Sequence, residues 1–158
     1  RMWQSMFDPL LAHGARNYWK SHHLVDLPDD GIDTVLEYTK TWASDECDVD
    51  LLNINPSNGH AHGDESAYAH RTAPFVFAVH MRWRDPADDE RCIGWARDLA
   101  DAMQKHAKGV YVNYLSEEGE ARVKDAYSPE IWNRLVEVKN KWDPQNLFRM
   151  NQNIKPKA

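Results

Sequence analysis

Two alternating sets of side chains mark the clearest strand of the chain, at residues 75–83. One set is entirely apolar and comprises Phe75, Phe77, Val79, Met81 and Trp83, and the other comprises Val76, Ala78, His80 and Arg82. Successive side chains of a strand point to opposite faces of a sheet. The first set therefore predicts a core-facing side, and the second predicts a surface that becomes polar towards the end of the strand.

Apolar side chains at helical spacing predict three amphipathic helices. The first follows Asp29 and Asp30, which favour the positive end of a helix, and has the stripe Ile32, Val35, Leu36, Thr39 and Trp42. The second begins at Asp85-Pro86 and ends near Gly109, since aspartate caps a helix and proline suits its first turn. The third begins at Ser128-Pro129-Glu130 and is stopped by Asp143-Pro144.

Three further strands are predicted at residues 23–27, 48–55 and 110–115. The resulting order is strand, helix, strand, strand, helix, strand, helix. Consecutive strands with no helix between them favour antiparallel pairing. We therefore predict an α+β fold with a mainly antiparallel sheet, helices covering one face and a C-terminal helical extension. Residues 1–108 are predicted to form the sheet-and-helix unit, and residues 109–158 the C-terminal segment.

Composition narrows the class of protein. The 158 residues are 42% hydrophobic and 28% charged, which is typical of one globular domain. The longest apolar-dominated run, residues 75–81, is far shorter than the roughly 20 residues of a membrane span. A net charge of -6 with dispersed Lys and Arg disfavours nucleic-acid binding.

Two features of the composition bear on ligands and location. Seven Trp and six Tyr predict an aromatic surface for a ligand in addition to a core. Cys47 and Cys92 have neither metal-site nor disulfide-framework spacing, so we interpret them as core thiols. The chain starts at Arg1 with no initiator Met and no signal sequence. We expect a fragment boundary there, which leaves localisation open.

An ordered set of motifs after residue 108 carries a resemblance to a known family. The motifs are Gly109-Val110-Tyr111-Val112-Asn113-Tyr114, Ala126-Tyr127, Asn133-Arg134-Leu135, Val138-Lys139, Trp142-Asp143-Pro144-Gln145-Asn146-Leu147-Phe148 and Asn151-Gln152-Asn153-Ile154-Lys155-Pro156. This order resembles the C-terminal end of berberine-bridge-enzyme-like FAD-linked oxidases. Further upstream, Tyr18-Trp19-Lys20-Ser21 and Ala67-Tyr68-Ala69-His70-Arg71 resemble the start of that family's substrate domain and its central sheet.

The resemblance implies a two-domain enzyme in which an N-terminal domain binds FAD and a C-terminal sheet lies over the isoalloxazine ring. No part of this sequence resembles the FAD domain, so we expect that domain to be the partner that holds most of the FAD. The implied reaction is oxidation of an alcohol, sugar or related hydroxyl or amine substrate by hydride transfer to flavin, with oxygen as acceptor. The substrate stays open, and the chain alone is expected to be inactive.

The resemblance also implies roles for individual residues. Tyr111 is the candidate base, and it needs a stabilised phenolate because a free Tyr titrates near pH ~10. Asn113 would share the face of Tyr111 on a strand and is the first cofactor-binding candidate. His80 is the second catalytic candidate. On spacing alone, Tyr111 and Asn113 equally fit an ordinary strand pair, and His80 equally fits a structural histidine.

Weaker assignments complete the site. Asn151 and Asn153 are candidates for contacts to FAD, with a frayed polar terminus as the alternative. Tyr68, Arg71 and Tyr18 are candidates for substrate binding, with core packing as the alternative for Tyr18.

Two competing interpretations remain. His60-Ala61-His62, with His70, Asp64 and Glu65 nearby, is the one metal-type motif, but a solvated loop explains it and we assign no metal. The alternative to an oxidase is a non-catalytic module that docks through its aromatic sheet face. In either case, the uncovered sheet face and the segment after Gly109 would expose apolar and aromatic surface. We therefore expect the isolated chain to self-associate through that face, with a mobile tail as the alternative.

Overall fold

The computed structural model describes residues 2–6, 8, 12–54, 66–68, 70, 72–115, 119–150 and 152–157. Within these residues, the strands are β1 (Arg16–Leu24), β2 (Asp48–Asn53), β3 (Phe75–Trp83) and β4 (Ala107–Gly109). The α-helices are α1 (Met2–Ser5), α2 (Asp29–Tyr38), α3 (Asp89–Met103), α4 (Glu120–Lys124) and α5 (Pro129–Trp142). Short 3-10 turns follow α2 and α3, and another spans Val112–Tyr114.

The four strands form one antiparallel sheet in the order β2-β3-β1-β4. The long pair β1 and β3 stays in register along its whole length, from Arg16 opposite Trp83 to Leu24 opposite Phe75. β4 pairs with β1 only briefly, and the register shifts between His23 and Leu24. The predicted α+β class is confirmed.

One face of the sheet is packed against α3, and α2 packs against α3 and adds Val35 to the same core. The alternation predicted for residues 75–83 is confirmed, because Phe77, Val79, Met81 and Trp83 lie in the core. The buried stripe of α3 completes this core with Cys92, Ala96, Leu99, Ala100 and Met103. The helices thus cover one face, and the side chains of the other face are left to form a surface above it.

The predicted helices are largely confirmed, with shifted ends. α5 begins as predicted, because Ser128 Oγ accepts a hydrogen bond from the backbone N–H of Ile131 and Pro129 occupies the first turn. The first predicted helix ends at Tyr38, before Trp42. The second ends at Met103, before the short strand β4. The helix α4 was not predicted.

Two predicted strands differ from the structure, one in its bounds and the other in its existence. The strand expected at residues 23–27 begins at Arg16 and ends at Leu24. The strand expected at residues 110–115 is absent, since Gly109 ends β4 and a 3-10 turn occupies Val112–Tyr114. The backbone leaves the sheet at that point, where the Ser21 hydroxyl bonds to the Tyr111 backbone.

The described helices include none with the length and apolarity needed to cross a membrane. The proposed boundary between residues 1–108 and 109–158 stays a prediction.

Candidate functional site

The face of the sheet opposite α2 and α3, called the open face below, is lined by polar and aromatic side chains. It carries Trp19, Ser21 and His23 from β1, the predicted set Val76, Ala78, His80 and Arg82 from β3, and Asp48, Asp50 and Leu52 from β2. The register places His80 beside Trp19 on one side and Asp48 on the other. Three of these positions, Ser21, His23 and Arg82, are buried although they are polar.

Residues 110–115 cover part of the open face. If β4 continued in register beyond the pair of His23 with Gly109, Tyr111 would lie opposite Ser21. Instead, the backbone N–H of Tyr111 donates to Ser21 Oγ at 3.2 Å, and Ser21 Oγ donates to the Tyr111 carbonyl at 3.4 Å. Because Ser21 points out of the sheet, these bonds hold the Tyr111 backbone above the sheet plane. This explains why the predicted strand does not form.

The 3-10 turn at Val112–Tyr114 places the Tyr114 ring at the centre of an aromatic cluster. Its centroid lies 5.0 Å from His80, 5.1 Å from Tyr111 and 5.8 Å from Trp19, with edge-to-face geometry in each case. Burial, followed by the charge of Asp50, raises the pKa of Tyr114. Tyr114 is therefore expected to stay protonated near neutral pH.

Tyr111 and Asn113 contact each other directly. The side-chain amide of Asn113 donates a hydrogen bond to the phenolic oxygen of Tyr111 at 2.8 Å. A donor on this oxygen stabilises a phenolate more than a phenol. The two residues are thus together as predicted, but through a turn and not through a shared strand face.

His80 is oriented by a carboxylate. Its Nδ1 lies 2.8 Å from Asp48 Oδ1 and 3.6 Å from Asp50 Oδ2. With Nδ1–H donating to Asp48, the neutral ring leaves Nε2 as an acceptor. Nε2 is buried and has no hydrogen-bond partner among the described residues. The geometry therefore presents an imidazole nitrogen that can accept a hydrogen bond on the open face.

Asp48, Asp50 and His80 also form a group whose ligand atoms are close enough to hold a metal ion, and among the described residues no other such group is found. The ligand atoms of Asp48, Asp50 and His80 lie within 4.8 Å of one another. Exposed carboxylates at this spacing are common without a metal, and the hydrogen bond of His80 to Asp48 accounts for the arrangement. The histidines and acids of the motif at residues 60–65 lie outside the described residues.

A second group of side chains surrounds Tyr111 on its other side. His23 is fully buried, and its Nε2 lies 3.5 Å from the hydroxyl of Tyr68, whose ring is 6.1 Å from that of Tyr111. Burial, and then the neighbouring His70, lower the pKa of His23 to about 4. Burial also lowers the pKa of His70. Both imidazoles are therefore neutral near pH 7, and this side of Tyr111 carries little charge.

Close packing fixes His70 against the backbone of Gly109. A Cβ added to Gly109 would lie 2.2 Å from His70 Cε1, so only glycine allows the ring this position. The His70 ring in turn lies 4.7 Å from that of His23. A cavity of about 240 Å³ opens beside these rings and is lined by Tyr68, His70, Tyr111, Asn113 and Tyr127 among others.

The other predicted site residues lie in different places. Tyr18 is on the helix-covered face, buried in the core with Arg97 donating to its hydroxyl, so it cannot line a pocket on the open face. Arg71 and Asn151 lie outside the described residues. Asn153 is half-buried, and its Oδ1 is buried with no partner among the described residues. The adjacent Gln152 donates to the Leu115 carbonyl at 2.6 Å, which ties the tail to the turn that carries Tyr114.

Several residues of the site were not predicted from sequence. Ser21 and His23 lie on the same face of β1 as Trp19. The sequence shows this alternation only when the strand is taken to begin at Arg16. Tyr114 belongs to the motif at residues 109–114, but the sequence assigns no role to it. Asp48 lies in a predicted strand, yet only the register of β2 with β3 shows that it faces His80.

Comparison with known proteins finds a family match in the C-terminal segment. Residues 110–155 match the family described as berberine and berberine like. This match lies in the C-terminal segment and covers less than a third of the chain. The chain is 44% identical over 94 residues to (R)-6-hydroxynicotine oxidase of Paenarthrobacter nicotinovorans. The aligned region covers 56% of this chain and 20% of that protein. The chain is also 33% identical over 104 residues to chitooligosaccharide oxidase of Gibberella zeae. That aligned region covers 60% of this chain and 20% of that protein.

The fold extends the similarity over the sheet. The flavoenzyme CrmK, involved in shunt product recycling in caerulomycin biosynthesis, superposes with a TM-score of 0.77 at 20% identity, covering 98% of this chain and 36% of CrmK. The chain spans about a third of the length of the curated FAD-linked oxidoreductases it matches. The berberine-like segment contributes Tyr111, Asn113 and Tyr114 to the site, and the sheet contributes His80 and Trp19.

Proposed function

We propose that this chain is the substrate-side part of a FAD-dependent oxidoreductase, with Tyr111 as the base. The observation that carries the proposal is the hydrogen bond from Asn113 to the phenolic oxygen of Tyr111, on an aromatic face that includes Tyr114 and Trp19. The family of residues 110–155 and the FAD-linked relatives support the same class of reaction.

The residues of the open face fit a flavin. A ring system such as isoalloxazine requires a broad apolar surface with a few polar groups at its edge. Trp19 and Tyr114 supply rings, and the buried Nε2 of His80 supplies a polar atom with no partner among the described residues. A bound flavin would supply the hydride acceptor for the substrate carbon.

Tyr111 would remove the proton from the substrate hydroxyl as that hydride leaves. The Asn113 amide would stabilise the phenolate that accepts this proton. After transfer, the proton resides on the Tyr111 oxygen, with the Asn113 donor still in place. The cofactor contacts assigned to Asn113, Asn151 and Asn153 stay part of the proposal. Asn113 would use the amide oxygen for such a contact, since its Nδ2 engages Tyr111.

His80 would be a second proton acceptor at the same surface. Asp48 holds the Nδ1 side of the ring at 2.8 Å, so Nε2 is the basic nitrogen of the neutral ring. Tyr114 separates the two acceptors, since its ring packs against both His80 and Tyr111. The two groups would therefore serve different atoms of a bound substrate or of the flavin edge.

The substrate would carry a hydroxyl or amine group on a neutral body. The 240 Å³ cavity beside Tyr111 is lined by Tyr68 and by the His70 ring, whose pKa is lowered by burial. These groups offer ring surfaces and hydrogen bonds without a fixed charge, which suits a sugar, alcohol or related ring. We assign substrate contact to Tyr68 and to Arg71, and oxygen as the electron acceptor. The named substrates of the relatives, chitooligosaccharides and 6-hydroxynicotine, fall within this range.

The partner in this reaction would be a FAD-binding domain of the same protein. Large apolar side chains at the end of α5 and beyond it favour a covered surface there, namely Trp142, Leu147, Phe148 and Met150. The alternative is a non-catalytic module whose aromatic face docks onto another protein.

Purification of the full-length protein that contains this chain separates the two. The oxidoreductase predicts FAD in the purified protein, identified by its absorbance and by mass spectrometry. It also predicts bleaching of that absorbance under anaerobic addition of a hydroxyl or amine substrate from a sugar, alcohol and alkaloid panel. Restoration of the spectrum by air, with release of peroxide, supports oxygen as acceptor. A full-length protein that contains no flavin and binds none would reject the oxidoreductase in favour of the docking module.

A further inference from the structure

The hydroxyl of Ser21 occupies the place of a missing step in the sheet ladder. β4 ends at Gly109, whose partner is His23, and the next non-adjacent pair in the same register would be Tyr111 with Ser21. In that place, Ser21 Oγ accepts from the Tyr111 N–H at 3.2 Å and donates to the Tyr111 carbonyl at 3.4 Å. One side chain thus bonds to both backbone groups of Tyr111, and the Tyr111 carbonyl also accepts from the Tyr114 N–H at 3.0 Å.

The burial of Ser21 indicates that these hydrogen bonds stabilise the position of the Tyr111 backbone. Ser21 is 1% exposed, so water cannot easily replace it as a partner for the Tyr111 backbone. Its neighbours on the open face are large rings, Trp19 and His23, neither of which offers a short hydroxyl at this point. Serine also has the shortest hydroxyl-bearing side chain, so it sets a small and fixed separation between the sheet and residue 111.

We propose that Ser21 is a positioning residue that fixes Tyr111 over the open face in the orientation its phenol needs for proton transfer. The role of the phenol rests on the proposed function, whereas the backbone clamp rests on the hydrogen bonds alone. Loss of the clamp frees residue 111 from β1 and leaves Asn113 to follow it through the 3-10 turn. At any time, a smaller fraction of the enzyme molecules then has the Tyr111 phenol within reach of the substrate hydroxyl, although substrate still binds.

Geometry at the reacting atoms is where such a loss acts. A misplacement of about 1 Å can slow a reaction on the order of a hundredfold without loss of substrate affinity. Removal of the clamp should therefore lower kcat and leave KM nearly unchanged. A structural serine whose loss only reduced stability would lower the amount of active enzyme and leave its kcat per flavin unchanged.

The test compares Ser21→Ala, Ser21→Thr and Ser128→Ala in the full-length protein. Ser21→Ala removes the hydroxyl, and Ser21→Thr restores it. Ser128→Ala removes an equivalent hydroxyl that caps α5 and accepts from the Ile131 N–H. Hydrogen exchange at single-residue resolution measures the Tyr111 amide, and steady-state turnover measures kcat and KM per bound flavin. If Ser21→Ala does not fold, Ser21→Cys replaces it, because a thiol hydrogen-bonds weakly at similar volume.

The clamp predicts that the Tyr111 amide exchanges at least about fivefold faster in Ser21→Ala, with protection regained in Ser21→Thr and unchanged in Ser128→Ala. It predicts a kcat about ten- to a hundredfold lower in Ser21→Ala, with KM within about twofold. Unchanged Tyr111 exchange in Ser21→Ala or Ser21→Cys would overturn the clamp. Faster exchange with unchanged kcat, where Tyr111→Phe is slow, would overturn the positioning role. If Tyr111→Phe is itself as fast as the unaltered enzyme, the proposed base fails, and the exchange data still decide the clamp.

Discussion

The amide of Asn113 donates to the phenolic oxygen of Tyr111 at 2.8 Å although a 3-10 turn, and not a strand, connects the two residues. On a strand they would share a face with both side chains aimed outward. In the turn, the shorter rise per residue folds the Asn113 side chain back onto the phenol. The motif thus forms a self-contained pair that does not depend on a neighbouring strand.

Replacement of Asn113 by Leu tests this pair. The change keeps side-chain size and removes the donor, so a phenolate at Tyr111 loses a hydrogen bond in the proton-transfer step. A hydrogen bond to a charged group contributes about 1.5–3 kcal/mol, which corresponds to roughly a ten- to hundredfold slower flavin reduction. Rapid-mixing absorbance of the full-length protein measures this rate. Asn133→Leu, at an exposed position of α5, is the matched control and should reduce flavin at the original rate; equal rates for both variants would show that the donor is irrelevant.

Gly109→Ala tests the packing beneath Tyr111. The new methyl group would lie 2.2 Å from His70 Cε1, so His70 or the backbone of β4 must move. Overpacking of this kind costs about 1–3 kcal/mol, and chemical denaturation should show a free energy of unfolding lower by that amount. Gly94→Ala is the control, because it lies in α3 with open space at its Cβ and should raise stability by up to about 1 kcal/mol. A Gly109→Ala protein as stable as the original would mean that His70 does not occupy this position.

Buried histidines predict a loss of stability in mild acid. His22 is 1% exposed, with Nε2–H donating to the Ala100 carbonyl at 2.8 Å and Nδ1 facing Arg122. Burial lowers the pKa of His22 from 6.5 to about 4, and the Arg122 charge adds to this effect against the opposing bond to Ala100. The unfolded chain therefore binds a proton below pH about 6.5 that the folded chain refuses until pH about 4.

The contribution of His22 is complete above pH 6.5 and is lost as the pH falls towards 4, by on the order of 1–2 kcal/mol between pH 7 and pH 5. Urea unfolding at these two pH values should show this drop, and His22→Gln should reduce it, because glutamine can donate to Ala100 without titrating. His22→Gln with the same drop as the original would remove His22 as its cause.

Just after α5, a buried carboxylate fixes the backbone of two residues whose apolar side chains are exposed to solvent. The carboxylate of Asp143 accepts from the backbone N–H groups of Leu147 and Phe148, and Lys139 pairs with it. That lysine, followed by the two backbone donors, lowers the pKa of Asp143. Phe148 is 82% exposed although its backbone is fixed in this way.

We expect the isolated chain to self-associate through this ordered patch. Light scattering should detect dimers or larger species, and Leu147→Asp combined with Phe148→Asp should shift them to monomer. Val25→Asp changes an exposed apolar side chain just after β1 and should leave the association unchanged. Monomer for the unaltered chain at all concentrations tested would contradict the expectation.

The sequence predicted the parts of the fold that depend on local patterns. The alternation at residues 75–83 and the Ser128 cap of α5 are local, and both are present in the structure. Residues 110–115 also alternate, yet they leave the sheet because Ser21, 90 positions away in the chain, binds the Tyr111 backbone. No local pattern contains that contact.

The site was predictable where a motif carried it and not where strand register decided it. Tyr111, Asn113 and His80 were chosen from the sequence, and the structure places them on one surface. Tyr18 was assigned to this surface as well, but its neighbour Trp19 is the one that faces it. A one-residue error in parity exchanges the two faces of a strand, and only the pairing of β1 with β3 fixes that parity.

Anaerobic flavin reduction in Tyr111→Phe tests the central claim most directly. The variant keeps the ring that packs against Tyr114 and removes only the oxygen that would accept the substrate proton. Tyr38→Phe, whose ring packs against Trp95 in the helix layer, is the matched control. We predict that reduction of the full-length protein slows by at least about a hundredfold in Tyr111→Phe and stays unchanged in Tyr38→Phe. Reduction at the original rate in Tyr111→Phe would contradict the assignment of Tyr111 as the base.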